Sequence, residues 1–135
     1  MQLTNALIGI GSAFIFGHGF NNTPIYFPEP QTDFIFSVFA SNFGFVPTIM
    51  ILLLIIYFDM QLIKISMKCN DQYKYAISGI LAMLIFQQVQ NIGMNIGLLP
   101  ITGITLPFIS YGGSSLVSYM IIIGIILKIE NKKLY

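Results

Sequence analysis

Long apolar runs separated by short polar segments dominate the chain. No charged residue occurs in residues 34–58 or in residues 75–127. About 20 apolar residues are needed to cross a bilayer, so the first run is long enough for one span and the second for two. We therefore predict an all-α membrane protein of one domain. The predicted transmembrane helices cover residues 34–58, 75–99 and 108–127.

Composition supports a membrane protein. The chain is 56% hydrophobic and 8% charged, against about 25% charged residues in a typical soluble domain. Its single cysteine, Cys69, excludes an intramolecular disulfide and argues against a cysteine-based metal site. The net charge of +1 does not identify a partner, and no nucleic-acid partner is expected.

The first 33 residues are predicted to form an outer segment that does not cross the membrane. Residues 3–16 are apolar but short for a span, and they contain Gly9 and Gly11. This pattern favours an interfacial or re-entrant segment. No Lys or Arg precedes the apolar run, so no signal peptide is predicted.

The lysines predict the orientation. With three spans they all fall on one side of the membrane, in the polar loop 59–74 and in the C-terminal tail: Lys64, Lys68, Lys74, Lys128, Lys132 and Lys133. Cytoplasmic segments carry an excess of Lys and Arg. We therefore expect this loop and the C-terminus to be cytoplasmic, with residues 1–33 and 97–115 on the outer side.

Residues 97–115, with the sequence GLLPITGITLPFISYGGSS, join the second and third predicted spans. The stretch contains two prolines and four glycines, too many helix breakers for one helix. It is also too apolar for an ordinary solvated loop. Non-helical backbone at membrane depth must be satisfied by neighbouring protein or must line a wet cavity. We therefore expect a working surface here.

Asp33 is the acidic residue placed at the outer end of the first predicted span. Thr32 and Asp33 are both good N-cap residues, which gives a purely structural interpretation. The alternative is a carboxylate that acts at the membrane surface as a general base or a cation ligand. Glu29 lies four residues earlier, but Pro30 intervenes. The spacing therefore does not establish a catalytic dyad.

Side-chain amides recur along the second predicted span. Gln87, Asn91 and Asn95 follow one another at intervals of four, and Gln88 and Gln90 lie beside them. Residues at this spacing share one face of a helix. This amide stripe is typical of interhelical hydrogen bonding, and the alternative is a polar path for a substrate.

Glycines are predicted to shape two of the spans. Gly44 and Pro47 predict a kink near Phe43 in the first span. Gly93 and Gly97 form a small-xxx-small pair, which would let another helix approach the second span closely.

A further group of candidate residues surrounds the start of the third predicted span. Gly112 to Ser115 could serve close helix packing, or could present the free amides of a helix N-terminus to an anion such as a phosphate. His18 is either a phosphate contact or an incidental loop residue. The candidate substrate-binding residues are Thr32, Glu29, His18, Ser110, Tyr111, Gly112, Gly113, Ser114 and Ser115.

Three segments resemble blocks of the SEDS family (shape, elongation, division and sporulation), the FtsW/RodA/SpoVE group. NIGMNIGLLPITGITLPFISYGGSS is similar to the long signature of that family. PEPQTDFIFSVFASNFGF and IGIGSAFIFGHGF resemble two further blocks, in the family's order. The resemblance covers nearly the whole chain.

The resemblance implies a peptidoglycan glycosyltransferase that polymerises lipid II outside the bacterial cytoplasmic membrane, beside a class B penicillin-binding protein. It assigns the catalytic role to Asp33, with a divalent cation (Mg or Mn) or the Gly112 to Ser115 amides as candidate helpers for the leaving diphosphate. Family members have about ten spans, so the chain is expected to be the C-terminal portion of such a bundle.

The chain departs from the family pattern at three places. Gln31 stands where a His is usual, Ser41-Asn42 replace an acidic pair, and His18 replaces a Lys between two glycines. A split gene, a degraded copy or a truncated reading frame would each explain the short chain. The alternative functions are a flippase or transporter of lipid-linked precursors, and an inactive remnant.

Overall fold

The computed structural model describes residues 2–19 and 33–131, and over these ranges all regular structure is helical. This confirms the prediction of an all-α protein. The described residues form five helices: α1 (Gln2–Ser12), α2 (Ile35–Phe43), α3 (Phe45–Lys68), α4 (Asp71–Asn95) and α5 (Gly113–Asn131).

Three of these helices, α3, α4 and α5, are long and apolar enough to cross a membrane, judged by length and composition alone. The predicted number of spans is confirmed. Helix α1 has 11 residues, about 17 Å at 1.5 Å per residue, and is too short to cross. Its interfacial or re-entrant placement stays a prediction.

The bounds of the first predicted span, 34–58, are wrong. The chain forms two helices there, because it breaks at Gly44 and does not continue as one helix kinked near Phe43. Gly44 has φ of 85°, in the left-handed region that glycine adopts most readily. Pro47 then lies in the first turn of α3, where its missing N–H costs little.

The predicted polar loop 59–74 is also wrong, since α3 continues to Lys68 and only Cys69 and Asn70 separate it from α4. The charged residues of this segment are spaced among apolar ones, and a helix tolerates that pattern. Asp59 therefore lies inside α3, where its Oδ1 accepts a hydrogen bond of 3.2 Å from Nε2 of Gln88.

Residues 13–19 pack against the turn between α2 and α3 through main-chain hydrogen bonds. The N–H of His18 donates to the carbonyl of Ser41 and the N–H of Gly19 to the carbonyl of Asn42, both at a distance of 3.0 Å. The N–H of Phe45 donates to the carbonyl of Phe14 at 3.1 Å. The irregular backbone of residues 13–19 thus finds hydrogen-bond partners in neighbouring protein.

Two buried apolar clusters hold the helices together. The larger one joins α3, α4 and α5 through Leu62, Cys69, Ile77, Leu84, Tyr119 and Ile126. The ring of Phe108 packs on Phe58 and Tyr119 at centroid distances of 5.4 and 5.2 Å. The smaller cluster joins α1 to α2 through Ala6, Phe34 and Val38.

The described lysines lie at one end of the helices. Helices α3 and α4 are joined by two residues and run antiparallel, so Lys64, Lys68 and Lys74 surround the same turn. Ile126 and Ile129 of α5 pack in the cluster that contains Cys69 of that turn, which places Lys128 at the same end. The C-terminal end of α4 and the loop 96–112 lie at the opposite end.

Candidate functional site

Two asparagines near the C-terminal end of α4 bind the main-chain carbonyl of Asp33. The Nδ2 of Asn91 lies 3.1 Å and the Nδ2 of Asn95 lies 3.0 Å from that oxygen. Both asparagines are completely buried, and their spacing of four places them on one helix face. This pair, called the amide clamp below, fixes the backbone at the start of the α2 segment.

The remaining groups of the amide clamp bind other parts of the same site. Oδ1 of Asn95 accepts hydrogen bonds from the N–H and the hydroxyl of Ser37 in α2. Nδ2 of Asn91 also donates to the carbonyl of Ile104 over 2.7 Å. The clamp therefore joins three pieces of chain: the Asp33 to Ser37 segment, helix α4 and the loop 96–112.

The carboxylate of Asp33 lies beside the loop 96–112. Asp33 is half-buried, and a Cβ added to Gly103 would lie 3.5 Å from its Oδ2. Gly103 has φ of +68°, a conformation that costs a residue with a Cβ of order 1–3 kcal/mol. Glycine at this position lets the loop pass close to the carboxylate.

Asp33 does not occupy the N-cap position that was predicted for it at the start of the first span. Helix α2 begins at Ile35, and its N-cap position is held by Phe34, which has no capping side chain. Asp33 lies one residue further out, and Thr32 lies outside the described residues. Phe34 is buried against Ala6 of α1 instead.

The end of α4 directs the loop back along the helix. The N–H of Leu98 donates to the carbonyl of Gly93 at a distance of 2.9 Å, and the N–H of Gly97 donates to the carbonyl of Met94 at 3.2 Å. Gly97 has φ of +79°. This is the Schellman pattern of helix termination. The predicted pair on one helix face does not form, because Gly97 lies past the helix end and Gly93 makes room for the side chain of Leu99. A helix does approach at Gly97, where a Cβ would lie 3.4 Å from Leu7 of α1.

The returning loop is held by Gln90. Its Nε2 donates to the carbonyl of Pro100 over 3.0 Å and to the hydroxyl of Thr102 over 3.1 Å. Gln90 precedes Asn91, so consecutive residues of α4 hold the loop and Asp33. The non-helical backbone of this stretch thus finds hydrogen-bond partners in neighbouring protein. This was one of the two expectations for it, and the other was a wet cavity.

All five amides of the stripe make hydrogen bonds inside the protein. Besides Gln90 and the clamp, Gln87 accepts from the hydroxyl of Tyr119 over 2.9 Å, and Gln88 donates to Asp59. Hydrogen bonding between segments is therefore the confirmed interpretation of the stripe. An amide used in this way is not free to line a substrate path.

The third predicted span begins five residues too early. Helix α5 starts at Gly113, because Phe108 has a positive φ of 65° and the chain turns there. In this turn Oγ of Ser110 accepts from the N–H of Leu106 over 2.8 Å.

The start of α5 is largely open to its surroundings. Tyr111 is 74% exposed, and Gly113 and Ser114 are exposed as well. Ser115 donates to the carbonyl of Gly112 over 2.9 Å. Contact of this segment with an anion stays a prediction.

His18 lies away from Asp33. Its Nε2 is 3.0 Å from Oγ of Ser12, and its N–H binds the carbonyl of Ser41 near the far end of α2. The eight-residue separation between Asp33 and Ser41 corresponds to about 12 Å along a helix axis. Of the other sequence-derived site residues, Glu29 and Thr32 lie outside the described part of the chain.

The described residues do not supply a metal site by themselves. Over residues 2–19 and 33–131, no three His, Cys, Asp or Glu side chains are grouped so that they could hold a metal ion. Mg²⁺ binds through one or two carboxylates, substrate phosphates and several waters. The Mg or Mn expectation therefore stays a proposal.

Sequence reasoning found the amide stripe but not what it binds. The spacing of four signalled a common helix face, yet nothing in the sequence indicates that this face meets the carbonyl of the candidate acid itself. The proximity of Gly103 to Asp33 was likewise missed. Its signal was a glycine within the stretch already singled out as a working surface.

Known proteins match the chain over almost all of its length. The family described as "Cell cycle protein" (FtsW/RodA/SpoVE) matches residues 1–135. Stage V sporulation protein E of Bacillus subtilis is 38% identical over 99% of this chain and 38% of its own length. The peptidoglycan glycosyltransferase RodA of Treponema pallidum is 38% identical over 98% of this chain and 32% of its own.

Solved structures of related proteins also match the chain. A peptidoglycan synthase complex, described for its coordination of polymerization and crosslinking, contains a chain with a TM-score of 0.78 and 31% identity, over 96% of this chain and 37% of that one. An aspartate-to-alanine variant of the rod-shape-determining protein RodA from Thermus thermophilus gives a TM-score of 0.71 and 36% identity, over 76% and 35% of the two chains. The chain spans about a third of the length of the curated relatives it matches, and it belongs to the FtsW/RodA/SpoVE family of cell cycle proteins.

Proposed function

We propose that this chain supplies one wall of the active site of a peptidoglycan glycosyltransferase, with Asp33 as its general base. The observation that carries the proposal is the position of Asp33: its main chain is fixed by two fully buried asparagines, while the residue as a whole is only half-buried. An acidic residue whose main chain is firmly held and which is not fully buried suits proton abstraction from a bound substrate. Relatives named peptidoglycan glycosyltransferases support the reaction class.

The proposed substrate is lipid II, a disaccharide-peptide linked through a diphosphate to an undecaprenyl chain. The Asp33 carboxylate takes the proton of the acceptor sugar hydroxyl as that oxygen attacks the anomeric carbon of the donor. A new glycosidic C–O bond forms. The bond between the anomeric carbon and the diphosphate oxygen breaks, and the lipid diphosphate leaves with the electron pair.

The leaving diphosphate needs hydrogen-bond donors as its charge develops. The exposed start of α5, from Tyr111 to Ser114, is the part of this chain proposed to supply them, since the first amides of a helix have no intrahelical partner and favour anions. The neighbouring turn is held by Ser110. A contribution from His18 would require substrate that extends toward the far end of α2.

A class B penicillin-binding protein is the proposed partner, and the bacterial cytoplasmic membrane the proposed location. The matched complex coordinates polymerization with crosslinking, which fits a polymerase that works beside such a partner. The positions of the described lysines favour a cytoplasmic end at the α3–α4 turn. Asp33 and the loop 96–112 are then on the outer side, where lipid II would be polymerised.

Thiol labelling in intact cells tests this orientation. In a Cys69→Ser background, Tyr111→Cys should react with a membrane-impermeant reagent, because it lies at the proposed outer end and is 74% exposed. Asn70→Cys, in the α3–α4 turn, should react only after the membrane is permeabilised. The reverse pattern would place the site on the cytoplasmic side and overturn the proposal.

The chain without further spans should not polymerise lipid II. In α3 and α5 only 11% of the membrane-spanning window is buried within the described structure, so most of the surface of both helices has no protein neighbour here. We expect no glycan product from the purified chain, and product once the N-terminal spans of a relative are supplied. Glycan strands made by the purified chain would refute this expectation.

The catalytic assignment is tested by an Asp33→Asn variant in that completed complex, with polymerisation measured from labelled lipid II. Loss of product with normal assembly supports it. The transporter alternative finds no support in the amide stripe, since its members are engaged in hydrogen bonds within the protein.

A further inference from the structure

The carbonyl oxygen of Asp33 receives two hydrogen bonds from side chains. Asn91 and Asn95 reach it from one face of α4, and the two donor distances, 3.1 and 3.0 Å, are nearly equal. A main-chain carbonyl has two lone pairs, so two side-chain donors can satisfy it fully. Such a carbonyl is held in position as well as in orientation.

Each asparagine of the clamp is itself fixed by further bonds. Nδ2 of Asn95 also donates to the carbonyl of Asn91 over 2.8 Å, and to its Oδ1 over 3.3 Å. Oδ1 of Asn95 is held by Ser37, and Asn91 is held by the carbonyl of Ile104. A donor locked by several partners in a buried network keeps its target in one place.

We propose that Asn91 and Asn95 are positioning residues for the reaction, because they set the direction of the Asp33 carboxylate through its main-chain carbonyl. This inference rests on the proposed function. It goes beyond that proposal by assigning a role to two residues that do not contact the carboxylate. Neither asparagine takes a proton from the substrate or donates one to it.

The physical reason is the short lever between the carbonyl and the carboxylate. The carbonyl carbon is bonded to Cα, and the carboxylate is joined to the same Cα through Cβ. A backbone rotation at Asp33 that moves Cα and Cβ therefore swings the carboxylate relative to the loop that carries Gly103. A misplacement of about 1 Å in a catalytic geometry can cost about 10²-fold in rate. Loss of the clamp should therefore lower kcat by roughly that factor, with KM changed little.

The clamp can be observed directly in the 135-residue chain. Asp33-Phe34 is the only Asp-Phe pair in the sequence. Labelling with ¹³C-carbonyl Asp and ¹⁵N-Phe therefore gives one carbonyl–amide NMR cross-peak, that of the Asp33 peptide. Asn91→Leu and Asn95→Leu should each move the Asp33 carbonyl resonance upfield, as expected when a carbonyl loses a hydrogen bond.

Gln88→Leu is the matched control. It removes another buried amide of the same helix, 6% exposed, whose partner is Asp59 and not Asp33. The cross-peak should stay in place in this variant. If Asn95→Leu does not fold, Asn91→Ser gives the same test, since its shorter side chain cannot reach the carbonyl. An unmoved cross-peak in the folded clamp variants would overturn the proposal.

A double-mutant cycle in the completed complex separates positioning from stability. Asn91→Leu should lower kcat about 10²-fold in the Asp33 enzyme. It should cost nothing further in the Asp33→Asn background, because the group it positions is already absent. A loss of equal size in both backgrounds would overturn the positioning role alone. The same conclusion would follow if Asn91→Leu left kcat unchanged while Asp33→Asn lowered it strongly. Full activity of Asp33→Asn would instead overturn the proposed function, whatever the cross-peak does.

Discussion

Replacing Asp33 with asparagine should lower the polymerisation rate about 10²- to 10⁴-fold in the completed complex while leaving the fold intact. An amide cannot take the proton of the acceptor hydroxyl, and a general base contributes about 10²- to 10⁴-fold in rate. The amide clamp binds the main-chain carbonyl of Asp33, so both of its hydrogen bonds remain in the variant. The loss should therefore appear in kcat and not in the yield of folded complex.

Two control variants define the specificity of this loss. Asp71→Asn removes an exposed carboxylate from the first turn of α4, at the opposite end of the helix from Asp33, and should leave the rate near wild type. Glu29→Gln should cost much less than Asp33→Asn if Glu29 is a solvated neighbour. Near-normal glycan synthesis by Asp33→Asn would remove the catalytic assignment.

Gly44→Ala should strongly destabilise the fold. A Cβ at Gly44 would lie 2.4 Å from the main-chain nitrogen of Gly17 and 2.5 Å from the carbonyl oxygen of Ile15. Alanine would also have to adopt φ of 85°. Backbone strain costs about 1–3 kcal/mol and overpacking about 1–3 kcal/mol. We therefore expect a loss of about 3 kcal/mol or more in the free energy of unfolding, measured by denaturant titration in detergent.

Gly11→Ala is the matched control for this prediction. Gly11 lies within α1, and an added Cβ would meet nothing within 4 Å. Alanine in a helix interior is favoured over glycine by roughly 0.5–1 kcal/mol, so this variant should be slightly more stable than wild type. Equal stability of Gly44→Ala and Gly11→Ala would show that residues 13–19 do not pack on the α2–α3 turn as described.

The helical class and the number of apolar spans could be predicted from the sequence because the apolar runs are long and uncharged. Their bounds could not. Gly44 looked like a kink, but the main-chain contact with residues 13–19 makes it a turn, and that contact joins segments far apart in sequence. The charges from Asp59 onward looked like a loop because sequence patterns separate polar from apolar segments more readily than they recognise a charged helix end.

The candidate site was predictable in its parts but not in its assembly. Asp33, the stripe and residues 97–115 were each singled out, by the resemblance or by helix breakers and spacing. Two contacts depend on tertiary packing. Asn91 and Asn95 bind the carbonyl of Asp33, and Gly103 lies close to the carboxylate of Asp33. Gly97 was misplaced for a related reason, because a glycine near the end of an apolar run can belong to the helix or terminate it.

Chemical rescue of Asp33→Cys tests most directly whether the carboxylate at this position performs the reaction. In a cysteine-free completed complex, iodoacetate converts the introduced thiol into a carboxylate, and iodoacetamide converts it into an amide of nearly the same shape. The measurement is the polymerisation rate of the two adducts, with the extent of modification checked by mass spectrometry. We predict that the carboxylate adduct recovers polymerisation and the amide adduct does not, whereas equal rates from the two adducts would contradict the role of Asp33 as general base.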